Sequence, residues 1–483
     1  MANGMIYIVG AGPGDPNLIT VKGLHLLKQA DVVLADHLAH PQLLSYCRAQ
    51  ASIIDVGKKK GKHSITQKEI NENMLSLAKA GNTVVRLKGG DPFIFGRLGE
   101  EMEWLTQHGI AYEIVPGVSS AIAGPGYTGI PLTHRQISRS VAFMTGTQIK
   151  GQSAEAIPNT DTLVCLMGYH QLDLLIPKLI ACSHFSKKTP IALLSKATYP
   201  DQKSIEATLG TVLNIAKKQP LETPVLLVVG EVVKCAETCA WFQKTVFHKR
   251  IILCRQTGNC DHWLKPLQDH NIDVIHAPVI ETTYQTNHGL TTSHITESDY
   301  VIMSSAKGVY YSINALLELG LDTRSLAQKT IISLGPQVTK ALQQYGLTPD
   351  IEAAQANQAG IIATLPHSLH GKTILYLTST EADTALKHHA EEKGAIVNQR
   401  SLYQPQSRNC NYLSLSPNDW IVVFSPSAVM SICKHTHWPK SNVMIALGKQ
   451  TATALKKAGF KHITSLETPT PEALLNLIHH PPS

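Results

Sequence analysis

No stretch of this 483-residue chain is apolar for long enough to cross a bilayer; the longest runs, such as Val225 to Val229, are strand-sized. The start lacks a charged segment followed by a long apolar one, so the cytoplasm is the expected compartment and no membrane partner is expected. There is no arginine-rich tail and no basic stripe interleaved with aromatics, which leaves nucleic acid without a case. The 23 histidines form neither H-x-x-x-H nor H-E-x-x-H; of the nine cysteines, Cys235 and Cys239 are four apart, as on one helix face, and Cys254 and Cys260 show no metal-ligand spacing. No metal is therefore expected, and the cysteines read as reduced thiols filling core space. No Gly/Ser linker divides the chain, so its parts are expected to be closely coupled.

What is present is an ordinary globular composition, 43% apolar, at a length that predicts two to four domains. The net charge of +7 is spread along the chain and suits an anionic small molecule. Repeats of strand, glycine turn and helix predict an α/β fold. Met5 to Val9 predicts a strand, Gly10 to Pro16 a turn, Thr20 the N-cap of a helix to about Ala30, and Asp31 to Ala35 the next strand. Ligands of open α/β sheets sit beyond the carboxyl ends of strands. Gly10 to Gly14, Asp36 and the loop after Thr83-Val84-Val85 all fall there. That loop is Arg86-Leu87-Lys88-Gly89-Gly90-Asp91-Pro92-Phe93-Ile94-Phe95-Gly96-Arg97. Its adjacent glycines let the backbone approach a ligand, Asp91 offers an acceptor, and Arg86, Lys88 and Arg97 suit an acidic substrate. Gly10-Ala11-Gly12-Pro13-Gly14-Asp15 departs from the G-x-G-x-x-G dinucleotide spacing. Asp36 nevertheless sits near the offset of a ribose-binding acid, which keeps an NAD oxidoreductase open.

A domain boundary is expected near residues 243 to 249, after a strand over Pro224 to Val229 and a helix running through Trp241 and Phe242. The second half echoes itself. Asp299 to Met303 matches Asp419 to Val423, Ile332-Ser333-Leu334-Gly335 matches Ile445-Ala446-Leu447-Gly448, and Ile251 to Leu253 resembles Thr373 to Leu375. Two similar α/β lobes of about a hundred residues are expected.

The motifs of the first half stand in a characteristic order: Val9 to Pro16, Leu18 to Gly23, Ala30 to Val33, Val56-Gly57-Lys58, Gly61 to Ser64, Gln67 to Asn71 and Val84 to Gly96. Val115 to Ala121, Gly129 to Arg135, Met167-Gly168 and Val228 to Gly230 follow. Over about residues 5 to 245 this resembles the uroporphyrinogen-III C-methyltransferases of the tetrapyrrole methylase family. The resemblance implies two α/β subdomains with S-adenosylmethionine (SAM) in the cleft between them. It places Pro13, Gly89, Gly90, Asp91, Ile94, Ser119, Ser120, Met167 and Ala197 around SAM. It makes Asp36 the proton acceptor and Lys58 the proton donor. Asp91 would hold a ribose hydroxyl or the cationic end of the ligand. Arg97, His134 and Arg135, with Arg139, Arg86 and Lys88, are candidates for the substrate carboxylates. The family also implies a homodimer through this half.

Residues 249 to 483 resemble uroporphyrinogen-III synthase in Ile251 to Arg255, Met303 to Ala306, Leu334-Gly335-Pro336, Gly371 to Leu375, Tyr403, Phe424 to Ala428, Leu447-Gly448 and Thr468 to Thr470. The resemblance implies a two-lobed α/β fold, with lobe one at 249–284 plus 404–483 and lobe two at 285–403. It makes Tyr403 the residue assisting loss of hydroxide and Ser305, Ser425, Ser427 and Thr451 substrate contacts. The tyrosine reads equally as packing between lobes. Together the halves, 1–245 and 249–483, imply a bifunctional enzyme. It would cyclise hydroxymethylbilane to uroporphyrinogen III and methylate that product twice to precorrin-2. Another corrinoid-ring methylase carrying an inactive tetrapyrrole-binding module is the alternative.

Overall fold

The computed structural model describes residues 4–48, 50–57, 65–146, 156–242, 249–258, 260–355, 358–434 and 438–480. The chain forms two compact units. One comprises Met1–Pro278, Cys410–Val429 and His435–Ser483, the other Val279–Asn409 and Met430–Lys434.

The first unit begins with a five-stranded parallel sheet in the order Ser52–Asp55, Val32–Ala35, Val84–Lys88, Ile6–Gly10, Tyr112–Val115. Successive residues of a strand point to opposite faces, and here both faces are covered. Ile6 and Ile8 pack with Leu34, Val84 and Leu105 on one side, while Val9, Val33, Val85 and Leu87 pack with Leu26 and Leu43 on the other. The helix Val21–Gln29 starts where Thr20 was expected to cap it, with the Thr20 hydroxyl accepting from Gly23 N–H at 3.1 Å. Glycine turns leave the carboxyl ends of Ile6–Gly10 and Val84–Lys88 side by side, at the edge where this topology holds ligands.

A second sheet follows in the order Val141–Thr145, Thr162–Leu166, Val225–Val229, Pro190–Ser195, Lys203–Thr208, of which the first pair is parallel and the rest antiparallel. The expected helix through Trp241 and Phe242 does not form. A 3-10 turn at Glu231–Cys235 and a single α turn at Ala236–Cys239 come first. Trp241 then stacks edge-on against Tyr127 and donates from its indole to Gly126 C=O at 2.8 Å, a tertiary hold that a continuing helix would forgo.

The internal echo corresponds to two matching runs of four parallel strands. In the first unit Ile251–Gln256, Trp420–Val423, Val443–Ala446 and His462–Ser465 pair in parallel in that order. In the second unit Thr373–Ser379, Tyr300–Met303, Thr330–Ser333 and Ile351–Glu352 do the same. Gly335 and Gly448 hold the same place in each, at φ 96° and 106°, just ahead of the helices Pro336–Gln343 and Lys449–Lys457. The division between units falls within the strand Val274–Tyr284 and after the strand Ile396–Ser407. Five of the nine cysteines, Cys47, Cys165, Cys254, Cys260 and Cys410, are buried. Among the described residues no helix is long and apolar enough to cross a membrane.

Candidate functional site

A cavity of about 540 Å³ lies in the first unit, between the carboxyl ends of the first sheet and the strand ends of the second sheet at Leu166, Leu194 and Val225. Its volume suits a small molecule. Pro13, Gly89, Gly90, Asp91, Ile94, Ser119, Ser120, Met167 and Ala197 all line it, and so do Asp36 and Arg97.

Backbone packing shapes this cavity. Ala11 N–H donates to Lys88 C=O at 2.7 Å, and Gly12 and Gly90 exchange backbone hydrogen bonds at 3.2 and 2.7 Å. A third loop presses on these two: a Cβ at Gly117 would sit 2.3 Å from Gly90 O. Side chains are therefore excluded at the contact. Gly90 differs, because its φ is +68° and a Cβ there would meet only Ser120 N, at 3.9 Å. Its bare face opens onto the cavity beside the start of the helix Ser120–Tyr127, capped by Ser119. Asp91 Oδ1 accepts from Phe93 N–H at 3.1 Å, which folds the loop back on itself. Left-handed backbone concentrates here. Phe95, Arg97 and Met167 have φ of 51°, 55° and 58°, and Lys196 and Thr198, at 49° and 69°, flank Ala197. Strain of this kind outside glycine gathers at binding sites.

The polar floor of the cavity is a buried ion network. Arg86 donates from Nη2 to Asp36 Oδ1 at 2.6 Å, from Nε to Glu101 Oε1 at 3.3 Å, and from Nη1 to Leu34 and Leu87 carbonyls. Lys88 Nζ donates to both Glu101 oxygens, at 3.0 and 2.9 Å, and Gln67 adds a third donor at 3.1 Å. Arg86, Lys88 and Glu101 are buried, whereas Asp36 is about one-third exposed. Burial, with the Arg86 charge beside it, pulls Lys88 below the usual lysine range, and Glu101 opposes that shift. Arg86 is thus a partner of Asp36 and not an open clamp for substrate carboxylates. Glu101 escaped the sequence reading. Its signal was its place with Leu98 and Leu105 on the buried face of the helix Leu98–Gln107.

Arg97 is exposed at the cavity and paired to Glu100 at 2.6 Å. His134 and Arg135 lie elsewhere, in an open surface depression with Thr133, Ser138 and Arg139. Lys58 lies outside the described residues; Gly57 and Ile65, on either side of that gap, both line the cavity. Among the described residues no group of three or more His, Cys, Asp or Glu is placed to hold a metal ion.

In the second unit, Tyr403 OH and Ser305 Oγ are 2.7 Å apart, and Ser305 Oγ accepts from Gly308 N–H at 2.8 Å. Burial raises the Tyr403 pKa, with the Ser305 bond opposing. Its ring stacks on Tyr311, which stacks on Tyr284. In the first unit, Ser425 and Ser427 hydroxyls are 2.9 Å apart at the start of the helix Pro426–Cys433, while Thr451 is buried.

A glycine-loop cavity at the carboxyl ends of a parallel sheet defines an α/β enzyme of the small-molecule class. The family described as Tetrapyrrole (Corrin/Porphyrin) Methylases matches residues 5–213, and the family Uroporphyrinogen-III synthase HemD matches residues 261–476. Over 239 residues the chain is 46% identical to the uroporphyrinogen-III C-methyltransferase of Methanocaldococcus jannaschii, covering 49% of this chain and 99% of that protein. Over 492 residues it is 32% identical to the porphyrin biosynthesis protein HemD of Ruminiclostridium josui, covering 96% of each. A solved uroporphyrin-III C-methyltransferase from Thermus thermophilus, complexed with S-adenyl homocysteine, is 37% identical over 48% of this chain and 99% of its own, with a TM-score of 0.42. The chain belongs to the tetrapyrrole methylases in its first half and to the uroporphyrinogen-III synthases in its second.

Proposed function

We propose that this chain catalyses two consecutive steps of tetrapyrrole biosynthesis. The second half closes hydroxymethylbilane to uroporphyrinogen III, and the first half methylates that product at two pyrrole carbons to give precorrin-2. The observation that carries the methyl-transfer reading is the single cavity lined by Pro13, Gly89 to Asp91, Ser119, Met167 and Ala197 together with Asp36. These loops are far apart in sequence. The cavity fits SAM: the open face of Gly90 admits close approach, Ile94, Leu194 and Met167 offer apolar walls, and Asp91 offers an acceptor. SAM supplies a methyl already activated on a sulfonium. The chain's own task is to align the pyrrole carbon with that methyl and to accept the proton that the methylated macrocycle then loses from another position, since the attacked carbon carries none. Asp36 would accept it, at the cavity wall, with Arg86 fixing its orientation. Lys58 would return a proton, and Arg97 would meet a substrate carboxylate. The enzyme would act in the cytoplasm, as a homodimer through its first half.

In the synthase half, loss of hydroxide leaves an electrophilic methylene. Attack by the substituted carbon of the last ring gives a spiro intermediate, and fragmentation with reclosure inverts that ring. Tyr403 would donate to the departing hydroxide, with Ser305 orienting its hydroxyl.

Incubating the whole chain with hydroxymethylbilane and SAM is expected to give precorrin-2. Uroporphyrinogen I as sole product would sink the synthase reading, and unmethylated uroporphyrinogen III the methylase reading. Tyr403→Phe keeps the ring stack and removes the hydroxyl. It is expected to slow type III isomer formation by about tenfold, below the usual general-acid range because the pyrrole nitrogen already expels the hydroxide. An unchanged rate would leave Tyr403 a packing residue. Gly90→Val forces a branched side chain into left-handed backbone facing the cavity. Its S-adenosylhomocysteine affinity, measured by calorimetry, is expected to fall about ten- to a hundredfold. Undiminished affinity would move the ligand elsewhere.

A further inference from the structure

Behind Asp36 lies a second cavity of about 360 Å³, which shares Pro13, Asp36, His37 and Leu38 with the first. Its far wall is not made by the methylase half. Arg250, Asp273, Tyr412 and Ser414, all from the second half of the sequence, close it. All of these residues belong to the first compact unit.

Two polar contacts, one buried and one partly buried, join the halves beside this cavity. Gln42 is fully buried, and its Oε1 accepts from His276 N–H at 2.7 Å, a partner 234 residues away. His40, also buried, meets Asp273 Oδ1 through Nε2 at 3.3 Å. Gln42 N–H donates to His40 Nδ1 at 3.1 Å, so Nδ1 is the acceptor and Nε2 carries the proton that Asp273 receives. Tyr199 packs against the His40 ring, with centroids 5.4 Å apart. A buried amide and imidazole placed this way would be costly without those partners. The arrangement therefore makes physical sense only with the second half docked.

The gripped segment is the direct continuation of the loop that bears Asp36. Asp36 N–H donates to Leu87 C=O at 2.9 Å, the turn closes by Ala39 N–H to Asp36 C=O at 3.1 Å, and His40 follows at once as the cap of the 3-10 turn Pro41–Tyr46. Asp36 is thus held from one side by Arg86 and from the other by a turn whose far end is fixed by the second half.

We propose that Asp273 and the His276 backbone act through His40 and Gln42 as a brace that positions Asp36 for methyl transfer. This rests on Asp36 being the proton acceptor. Asp273 and Gln42 are positioning residues; neither lines the first cavity.

The test uses the full chain and the variants Asp273→Ala, Asp273→Asn and Gln42→Met, the last keeping side-chain volume while removing the acceptor. Methylation of uroporphyrinogen III gives kcat and the SAM KM, calorimetry gives S-adenosylhomocysteine affinity, and amide hydrogen exchange reports on residues 36–44 and 84–91. In Asp273→Ala and Gln42→Met, kcat is expected to fall about tenfold through displacement of the acceptor. The SAM KM and ligand affinity should stay within about twofold. Exchange should quicken at 36–44 and hold at 84–91. Asp273→Asn, whose amide oxygen still accepts from His40, should recover most of kcat. Unchanged kcat in both disruptive variants would overturn the brace. So would a joint fall of kcat, ligand affinity and protection at 84–91, the signature of general loosening. If Asp36→Asn itself proves fully active, the proton-acceptor reading fails separately. The brace then stands or falls on whether exchange at 36–44 quickens.

Discussion

Asp36→Asn is expected to lower kcat for methyl transfer about 10²- to 10⁴-fold, the usual contribution of a positioned general base. The substitution is close to isosteric, and the carboxamide oxygen can keep the 2.6 Å bond from Arg86 Nη2. What is lost is the second oxygen, which has no hydrogen-bond partner among the described residues and belongs to a side chain open to the cavity. An amide nitrogen in that place cannot accept a proton. Because the loops of Gly90 and Ser119 are untouched, S-adenosylhomocysteine affinity should be unchanged. Cyclisation of hydroxymethylbilane by the same preparation should also continue, which separates a chemical defect from a folding defect. A kcat within about threefold of wild type would remove Asp36 from the proton-transfer role.

Much of this site was legible because parallel sheets constrain where ligands sit. Glycine turns after Ile6–Gly10 and Val84–Lys88 had to emerge on one edge, and they bring Pro13 and Gly90 to the same cavity. The repeated strand and glycine-helix segments of the second half likewise marked two lobes, since each strand order follows the echo. Partners were less legible than positions. Arg86 and Lys88 looked like clamps for acidic substrates, but alternation along Val84–Lys88 places them on the face of Val84, which packs with Leu98 and Leu105. Glu101 shares the helix face of those leucines, so charge meets charge beneath the apolar layer. His134 and Arg135 belong to a motif near the glycine loops in sequence, yet sequence order does not bring them to the cavity. The contact of Gln42 with His276 depends on how two families dock, and no local pattern encodes that.

Glu101→Gln, on the helix Leu98–Gln107, should be the most destabilising conservative change around the first sheet. Glu101 is fully buried and is the only side-chain acceptor of Lys88 among the described residues, as well as the second carboxylate facing Arg86. Removing one partner of a buried ion pair strands the other charge, at a cost of about 3–5 kcal/mol. The shape of the side chain is kept, so the loss is electrostatic. Its pH dependence has a definite sign. Lys88 already lies below its ordinary value of 10.5 because of burial and Arg86, and Glu101 works against that shift. Without the carboxylate the folded-state value falls further. The unfolded chain then binds more protons than the folded one over a wider range, and stability rises with pH across it. The deficit of the variant should therefore be greatest near neutral pH, where the wild-type pair is charged on both sides. It should shrink as pH climbs towards 10.5, where Lys88 becomes neutral in both states. A chain with two compact units need not unfold in one step. The measurement is accordingly urea unfolding followed by amide protection of Val84–Lys88 at several pH values. A midpoint equal to wild type, or a deficit that grows from neutral pH upwards, would show that Lys88 and Glu101 do not stabilise each other as a buried ion pair.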